Sequence, residues 1–263
     1  MSRFRLAIEF AGTRYSGWQI QKNARTVQGE IAAAVRIVSG RTDFELYGSG
    51  RTDAGVHALG QVAHLDLETR LLPAPLRLAL NDNLPADIHI LHAEKVPRAF
   101  HARHDAVSRS YLYQISRRRT AFAKPFVWWI KDPLDVARML QAAPYFAGMN
   151  DFRSFTDREA EEASTRVLLE GIEIVEEGAL ILIRIRGSHF LWKMVRRIVG
   201  VLAEVGRGAI VPRDVARLLQ EDSDVPARLT APPSGLFLER VFYKDGERSA
   251  PLKGVVHIPA TPA

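Results

Sequence analysis

The sequence predicts an α+β protein whose sheets are mainly antiparallel. Short alternating strands predominate, and two of them flank Glu176-Glu177-Gly178, which is typical of a hairpin. Single helical segments lie among the strands, without the regular strand–helix alternation of a parallel sheet. A similar order of elements recurs in the second half, which suggests a duplicated fold with a cleft between its halves. We predict an N-terminal domain over 1–104 and a C-terminal domain over 105–263.

The first half contains four predicted strands and two predicted helices. Phe4, Leu6, Ile8 and Phe10 alternate with polar residues, which predicts a half-buried strand. Thr26 is a suitable N-cap for the helix that follows, whose apolar residues recur at helical spacing. The other predicted elements are strands at 44–47, 62–67 and 87–96, and a short helix at 76–80 entered through Pro75.

The second half is predicted to begin with a strand over 110–116. Helix signals follow at two places: Asp132-Pro133 begins one helix that Gly148 closes, and Ser188 caps another that ends at Gly206 and Gly208. The remaining predictions are hairpin strands at 167–175 and 180–186, a bulge at Gly171, a short helix near 215–219, a strand at 236–241, and a loosely held tail from Pro251.

Composition narrows the function classes. The chain has 263 residues, a formal charge of +6 and no cysteine. The charge favours a polyanionic partner, nucleic acid above all. The lack of cysteine excludes disulfides, thiolate catalysis and cysteine-based zinc sites. Neither a secretory signal nor a membrane-spanning apolar run is visible, so we expect a cytoplasmic protein.

The segment Gly48–Ala58 is the strongest candidate for chemistry. Its three glycines let a ligand approach the main chain, and Arg51 lies two residues from Asp53. An ionised carboxylate in a loop that admits a ligand is what a nucleophilic carboxylate mechanism requires. A solvated turn remains the alternative. Phosphate-loop and dinucleotide-binding fingerprints are excluded, because the Gly-Lys-Ser/Thr ending is missing and residue 53 is not glycine.

Other side chains admit two interpretations each. Tyr111 and Tyr113 share a strand face and either pack in the core or stack on a base. Arg196 and Arg197 lie off the apolar stripe of their helix, where they are either solvated or directed into a cleft toward Asp53. The pair Trp128-Trp129 favours a core position, and the run Arg117–Arg119 favours a solvated segment or a phosphate contact. The spacing of His57, His101 and His104 does not favour a metal site.

Several motifs then occur in the order of one known family. The segment Gly50–His57 closely resembles the signature of the tRNA pseudouridine synthase A family. The other matching segments are Tyr15–Gln19, Asn83–Pro85, Phe100–Arg103, Tyr111–Tyr113, Asn150–Phe152, Ser154-Phe155, Met194–Arg196, Ile198–Gly200 and Gly235-Leu236. The resemblance extends from Arg3 to about Tyr243. It implies two RNA-recognition-like halves around a central basic cleft, the pseudouridine synthase fold.

The resemblance also implies a function. The family isomerises uridine to pseudouridine at positions 38, 39 and 40 of the tRNA anticodon stem-loop, as a homodimer and without cofactor or metal. By position, Asp53 matches the nucleophile, Arg51 the arginine linked with nucleotide flipping, Arg196 the basic residue that pairs with the aspartate, and Tyr111 the tyrosine that packs against the target base. We expect His57 and Arg103, which lie in matching motifs, to help bind the substrate.

One departure and two alternatives stay open. Ser108-Arg109-Ser110 precedes Tyr111 where many members have a more basic run, which weakens the expectation of strong RNA contacts there. A catalytically silent RNA-binding protein on the same scaffold would have the same charge, but should lack Asp53. A metal-dependent hydrolase using Asp53 and nearby histidines would lose its activity to a chelator.

Overall fold

A computed structural model of the protein describes residues 1–157, 164–244 and 250–260. The elements are α+β with mainly antiparallel strand pairs, so the predicted fold class is confirmed. Contacts divide the described residues into two compact units. The first consists of Met1–Val107 together with 237–244, and the second of Ser108–Leu236 together with 250–260.

The sheet of the first unit is built on its long strand β3. The strands are β1 (Ser2–Phe10), β2 (Glu45–Gly48), β3 (His57–Leu67), β4 (Ile88–Val96) and β10 (Leu236–Phe242). Strand β1 lies between β4 and β3 and is antiparallel to both. On its other side β3 pairs with β2 in antiparallel fashion, and its first residues, His57 and Ala58, pair in parallel with β10. Strand β10 lies in the predicted C-terminal domain, 105–263, but all of it except Leu236 belongs to the first unit.

Two helices cover this sheet. Helix α1 spans Val27–Ser39, and the Thr26 hydroxyl accepts the Gly29 N–H at its start, as predicted. Helix α2 spans Pro73–Asn81. It begins two residues before the predicted entry at Pro75, because Pro73 takes the first-turn position where no N–H is required.

The sheet of the second unit is antiparallel except for one short strand. Its strands are β5 (Ser108–Ser116), β6 (Trp128–Trp129), β7 (Gly148–Asp151), β8 (Arg166–Glu177) and β9 (Leu180–Gly187). The order β5-β9-β8-β7 is antiparallel at each pairing, and β6 adds in parallel to the end of β5. The predicted hairpin is confirmed. The predicted bulge is confirmed too, because the β8–β9 register shifts between Leu169 and Gly171.

Both predicted boundaries of the first helix in this unit are wrong. Helix α3 spans Val136–Ala142 and is capped by the Asp135 carboxylate, which accepts the Arg138 N–H, so Asp132 is not its start. Gly148, the predicted end of this helix, instead opens β7 with φ +91°.

Helix α4 spans Met194–Arg207, so Ser188 does not cap it. Its N-cap is Lys193, in the left-handed region at φ 59°. The predicted end is confirmed at Gly208, which closes the helix at φ 80°, whereas Gly206 lies within the helix. Two short helices follow, α5 (Asp214–Gln220), which the sequence predicted, and α6 (Val225–Arg228), which it did not.

The C-terminal residues 250–260 pack against the second unit. Leu252 and Ile258 are buried, and the Val255 N–H donates to Gln114 Oε1 at 2.6 Å. The prediction of a loosely held tail is therefore wrong for residues 251–260, since their main chain has partners on β5 and the β8–β9 turn; the last three residues of the predicted tail lie outside the described ranges. Within the described ranges, the helices are all too short or too polar to cross a bilayer.

Candidate active site

The loop between β2 and β3, residues 49–56, carries Arg51 and Asp53 and is fastened to β3 at its beginning. The Ser49 N–H donates to the Val62 carbonyl at 2.7 Å, and the Ser49 hydroxyl to Gln61 Oε1 at 2.7 Å. The Gln61 amide in turn donates to the Gly50 carbonyl at 3.1 Å. Ser49 and Gln61 are buried, so these bonds are shielded from water and hold the loop in one place.

A second loop, residues 11–18, holds the other end. The Trp18 N–H donates to the Thr52 carbonyl at 3.1 Å, and the Gly55 N–H to the Tyr15 carbonyl at 3.2 Å. The Gly12 N–H donates to Nδ1 of His57 at 3.0 Å. The two motifs that the sequence presents separately therefore form one clamp, called here the aspartate clamp (residues 11–18 and 49–57).

Glycine is required in the clamp where the two main chains touch. Gly17 has φ +92°, and a Cβ added there would lie 2.4 Å from the Thr52 carbonyl oxygen. At Gly12 a Cβ would lie 1.9 Å from the Val56 carbonyl oxygen. Both distances are far shorter than ordinary contacts, so a larger residue would displace the Asp53 segment.

Side chains of the loop differ in exposure. Arg51 is exposed and Asp53 is half-buried, so both can meet a ligand from solvent. Thr52, between them, is buried, and its hydroxyl oxygen has no hydrogen-bond partner among the described residues. The turn is closed by the Val56 N–H, which donates to the Asp53 carbonyl at 3.1 Å. The main chain around the carboxylate is thus fixed while its side chain stays accessible.

His57 lies beneath this loop, with 1% of its surface exposed. Its ring stacks on Phe237 of β10 with centroids 4.7 Å apart, and Nδ1 accepts the Gly12 N–H. The accepting nitrogen carries no proton in this arrangement. The buried ring supports the aspartate clamp from inside the first unit.

Arg103 lies on an exposed turn of the first unit, over 101–105. His64 accepts the Ala102 N–H at Nδ1 (3.2 Å), and the Tyr243 hydroxyl donates to the Ala102 carbonyl at 2.7 Å. Burial lowers the pKa of His64 to about 4, so the ring stays a neutral acceptor at neutral pH. His64 was not predicted from the sequence, although a histidine in a strand that is buried on both faces is unusual.

Tyr111 and Tyr113 of β5 differ in environment. Tyr113 is fully buried and donates to the Pro232 carbonyl at 2.8 Å, so it belongs to the core. Burial raises its pKa well above the usual value. Tyr111 is half-buried, and its ring meets Phe190 edge-on with centroids 4.9 Å apart. Tyr111 therefore has a fixed ring and a surface that remains partly open.

The two arginines of α4 also differ. Arg196 is half-buried, and its Nε donates to the Ala231 carbonyl at 2.7 Å. Arg197 is buried and pairs with Asp157, which also binds Lys193 at 2.8 Å. The hydrogen bond from Lys193 is the main cause that lowers the pKa of Asp157. The prediction that both arginines lie off the buried surface is wrong for Arg197, because Asp157 supplies its counter-charge.

The remaining candidates from the sequence are the tryptophan pair, the arginine run and the histidines. Trp129 is 38% exposed, so the core prediction for the tryptophan pair is wrong at this position, where the short strand β6 leaves its side chain at the surface. Arg117 pairs with Glu176, and the Arg118 Nε donates to the Pro259 carbonyl at 3.0 Å. Among the described residues, His, Asp and Glu form no group of three that could hold a metal ion.

The chain matches known proteins over most of its length. A family model described as tRNA pseudouridine synthase matches residues 6–105 and 142–244. A tRNA pseudouridine synthase A from Afipia carboxidovorans is 42% identical over 246 residues, which cover 92% of this chain and 100% of the relative. The enzyme of the same name from Exiguobacterium sibiricum is 38% identical over 248 residues, covering 94% and 99%.

Among solved structures, a crystal structure of a Cbf5-Nop10-Gar1 complex matches with a TM-score of 0.33 and 11% identity, covering 76% of this chain and 54% of that chain. That similarity is too low to support a statement about this protein. The sequence matches are much stronger, since they exceed 30% identity and cover nearly the whole length of each relative. The chain therefore belongs to the tRNA pseudouridine synthase A family.

Proposed function

We propose that this protein isomerises uridine to pseudouridine in tRNA, at positions 38, 39 and 40 of the anticodon stem-loop. The observation that carries the proposal is the aspartate clamp in a chain of this family. A half-buried carboxylate stands on a loop that hydrogen bonds and close glycine contacts fix in place. Fixed geometry at the reacting group lowers the barrier of a reaction, and a protein that only binds has no need of it.

The proposed reaction rearranges bonds within one nucleotide. The bond between ribose C1′ and N1 breaks, a bond between C1′ and C5 forms, C5 loses its proton and N1 gains one. No atoms are gained or lost overall, so no oxidant, reductant or co-substrate is required. Asp53 acts as the nucleophile, either at C1′ or at the uracil ring.

The target uridine must leave the stem before Asp53 can reach it, at a cost of about a few kcal/mol. Arg51 is exposed beside Asp53, and a guanidinium there can fill the gap in the stack and contact phosphate. Tyr111 offers a ring, fixed by Phe190, for packing against the flipped base. We include Arg196, which is half-buried, because it matches the basic residue of the family's site.

Two further residues complete the proposed site. Arg103, on its exposed turn, contacts the RNA backbone. His57 contributes to substrate binding indirectly, through the aspartate clamp. Its buried ring accepts the Gly12 N–H and thereby helps to fix the loop that presents Arg51 and Asp53. In this view His57 is a positioning residue.

The test is to incubate the protein with unmodified tRNA transcripts and to map pseudouridine at single-nucleotide resolution. We expect product at uridines 38–40, and none in a matched transcript with cytidine at these positions. Product confined to other positions would contradict the site assignment. Tight binding without any product would favour the catalytically silent RNA-binding protein, and loss of product with chelator would favour a metal enzyme.

We also propose that the protein works as a homodimer in the cytoplasm. The resemblance of the whole chain to the family supports the dimer, and the basic, cysteine-free composition suits a reducing compartment that contains tRNA. Light scattering at micromolar concentration tests the dimer, and a monomer mass would contradict it.

A further inference from the structure

The loop between β5 and β6, residues 117–127, combines positive charge with an exposed aromatic ring. It contains Arg117, Arg118, Arg119 and Lys124 and no acidic residue. Phe122 lies in it with 95% of its surface exposed, the highest exposure among the large apolar side chains of the described residues. Covering this ring with a partner would remove apolar surface from water, which is favourable.

The loop is held at both of its ends. The Ser116 hydroxyl donates to the Arg118 carbonyl at 2.7 Å, and Arg118 donates to the Pro259 carbonyl at 3.0 Å. Past the exposed ring, the Ala123 N–H donates to the Thr120 hydroxyl at 3.2 Å, and Ala123 is buried. Phe122 is therefore presented from a folded turn, which lowers the entropy cost of using it for binding.

A second aromatic surface adjoins the loop. The Arg119 guanidinium lies 5.0 Å from the ring centroid of Trp129, which is 38% exposed on β6. A guanidinium stacked on an indole forms a planar cationic surface that suits both a base and a phosphate. Arg117 is partly neutralised by Glu176, which leaves Arg119 and Lys124 as the exposed cations on either side of Phe122.

We propose that this loop is a second RNA contact, in which Phe122 stacks on an unpaired nucleotide of the tRNA while Arg119 and Lys124 bind the adjacent phosphates. The proposal rests on the proposed function for its ligand. Unpaired bases stack on aromatic rings and arginine planes whatever their identity, and cations beside such rings follow the backbone. A single phenylalanine among alanines offers too little apolar area for a stable protein interface.

The experiment measures the Kd for an unmodified tRNA transcript and its salt dependence. We expect Phe122→Ala to weaken binding about 5- to 100-fold, as loss of one stacked base does, and Phe122→Trp to restore it. Leu72→Ala is the matched control, because Leu72 is an apolar side chain with 70% exposure in the first unit, and its loss should leave the Kd unchanged.

The charges have a separate signature. The slope of log K against log salt concentration is negative, and Arg119→Gln should reduce its magnitude by about 1, the value for one lost phosphate contact. Phe122→Ala should leave that slope unchanged. A Phe122→Ala variant with wild-type Kd, or a Leu72→Ala variant with an equal loss, would overturn the proposal. Two other results would also overturn it if Phe122→Ala left the tRNA affinity unchanged. One is loss of binding to vesicles of phosphatidylserine and phosphatidylcholine in this variant, and the other is a change of its mass in light scattering.

The experiment distinguishes a wrong proposal for the loop from a wrong proposal for the function. The single-turnover rate at saturating enzyme should be the same for Phe122→Ala and wild type, because the loop adds affinity and touches no reacting atom. If wild type forms no pseudouridine but Phe122→Ala still weakens tRNA binding, the enzymatic proposal fails and the loop proposal stands.

Discussion

Gly17→Ala is a sharp test of the aspartate clamp, because it adds one methyl group against the chain that carries Asp53. An alanine Cβ would lie 2.4 Å from the Thr52 carbonyl oxygen, where ordinary contacts begin at 3.4 Å. The carbonyl must therefore retreat by roughly 1 Å, which also disturbs its hydrogen bond from the Trp18 N–H. The positive φ of 92° adds backbone strain of its own.

Two effects follow from that displacement. The strain and the overlap together should lower the free energy of unfolding by about 2–4 kcal/mol. A shift of about 1 Å at a reacting group costs on the order of 100-fold in rate, so single-turnover pseudouridine formation should fall by about that factor in protein that is still folded. Urea unfolding measures the first effect, and pseudouridine mapping at saturating enzyme the second.

Gly40→Ala is the matched control for the backbone strain alone. Gly40 also has a positive φ, 65°, but a Cβ there would meet nothing within 4 Å. We expect a stability loss of about 1 kcal/mol and an unchanged single-turnover rate. Equal rates for Gly17→Ala and Gly40→Ala would refute the claim that the loop 11–18 fixes the position of Asp53.

Two further predictions concern stability. His64 has a folded pKa of about 4, below its ordinary 6.5, so the unfolded chain binds more protons between these pH values. As the pH is lowered from 6.5 to 5, the free energy of unfolding should therefore decrease by at most about 2 kcal/mol. The decrease should be smaller in His64→Asn, and urea unfolding at each pH measures it. A pH response identical in both proteins would contradict this. Asp157→Asn leaves the buried Arg197 without its carboxylate and should cost about 2–3 kcal/mol by urea unfolding, whereas Asp224→Asn, in an exposed pair, should cost under about 0.5. Similar losses would contradict the role given to Asp157.

Local patterns in the sequence were enough for much of the fold. Alternation identified β1, the β8–β9 hairpin followed from its turn residues, and Thr26 marked the start of α1. These features depend on neighbours along the chain, so periodicity and capping rules report them directly. The start of helix α4 did not follow, because its N-cap is a lysine in the left-handed region that no capping rule predicts.

In the candidate site, too, some features could be predicted from the sequence and others could not. Asp53 and its glycines could be found from the loop itself, and the family resemblance supplied expected roles for Tyr111 and Arg196. The burial of His57 could not be predicted, because the ring that covers it, Phe237, is 180 positions away in the chain. The counter-charge of Arg197 likewise comes from a residue 40 positions away. Contacts of this range are set by tertiary packing and leave no periodic signal.

The central claim is that the Asp53 carboxylate performs the chemistry. The most direct measurement compares wild type and Asp53→Asn for tRNA affinity and for pseudouridine formed in a single turnover. The amide has almost the same size as the carboxylate but is a far poorer nucleophile. We predict a Kd within about threefold of wild type, below the factor of ten that 1.4 kcal/mol would give, and no detectable product. Product formed by Asp53→Asn at a rate near that of wild type would contradict the account.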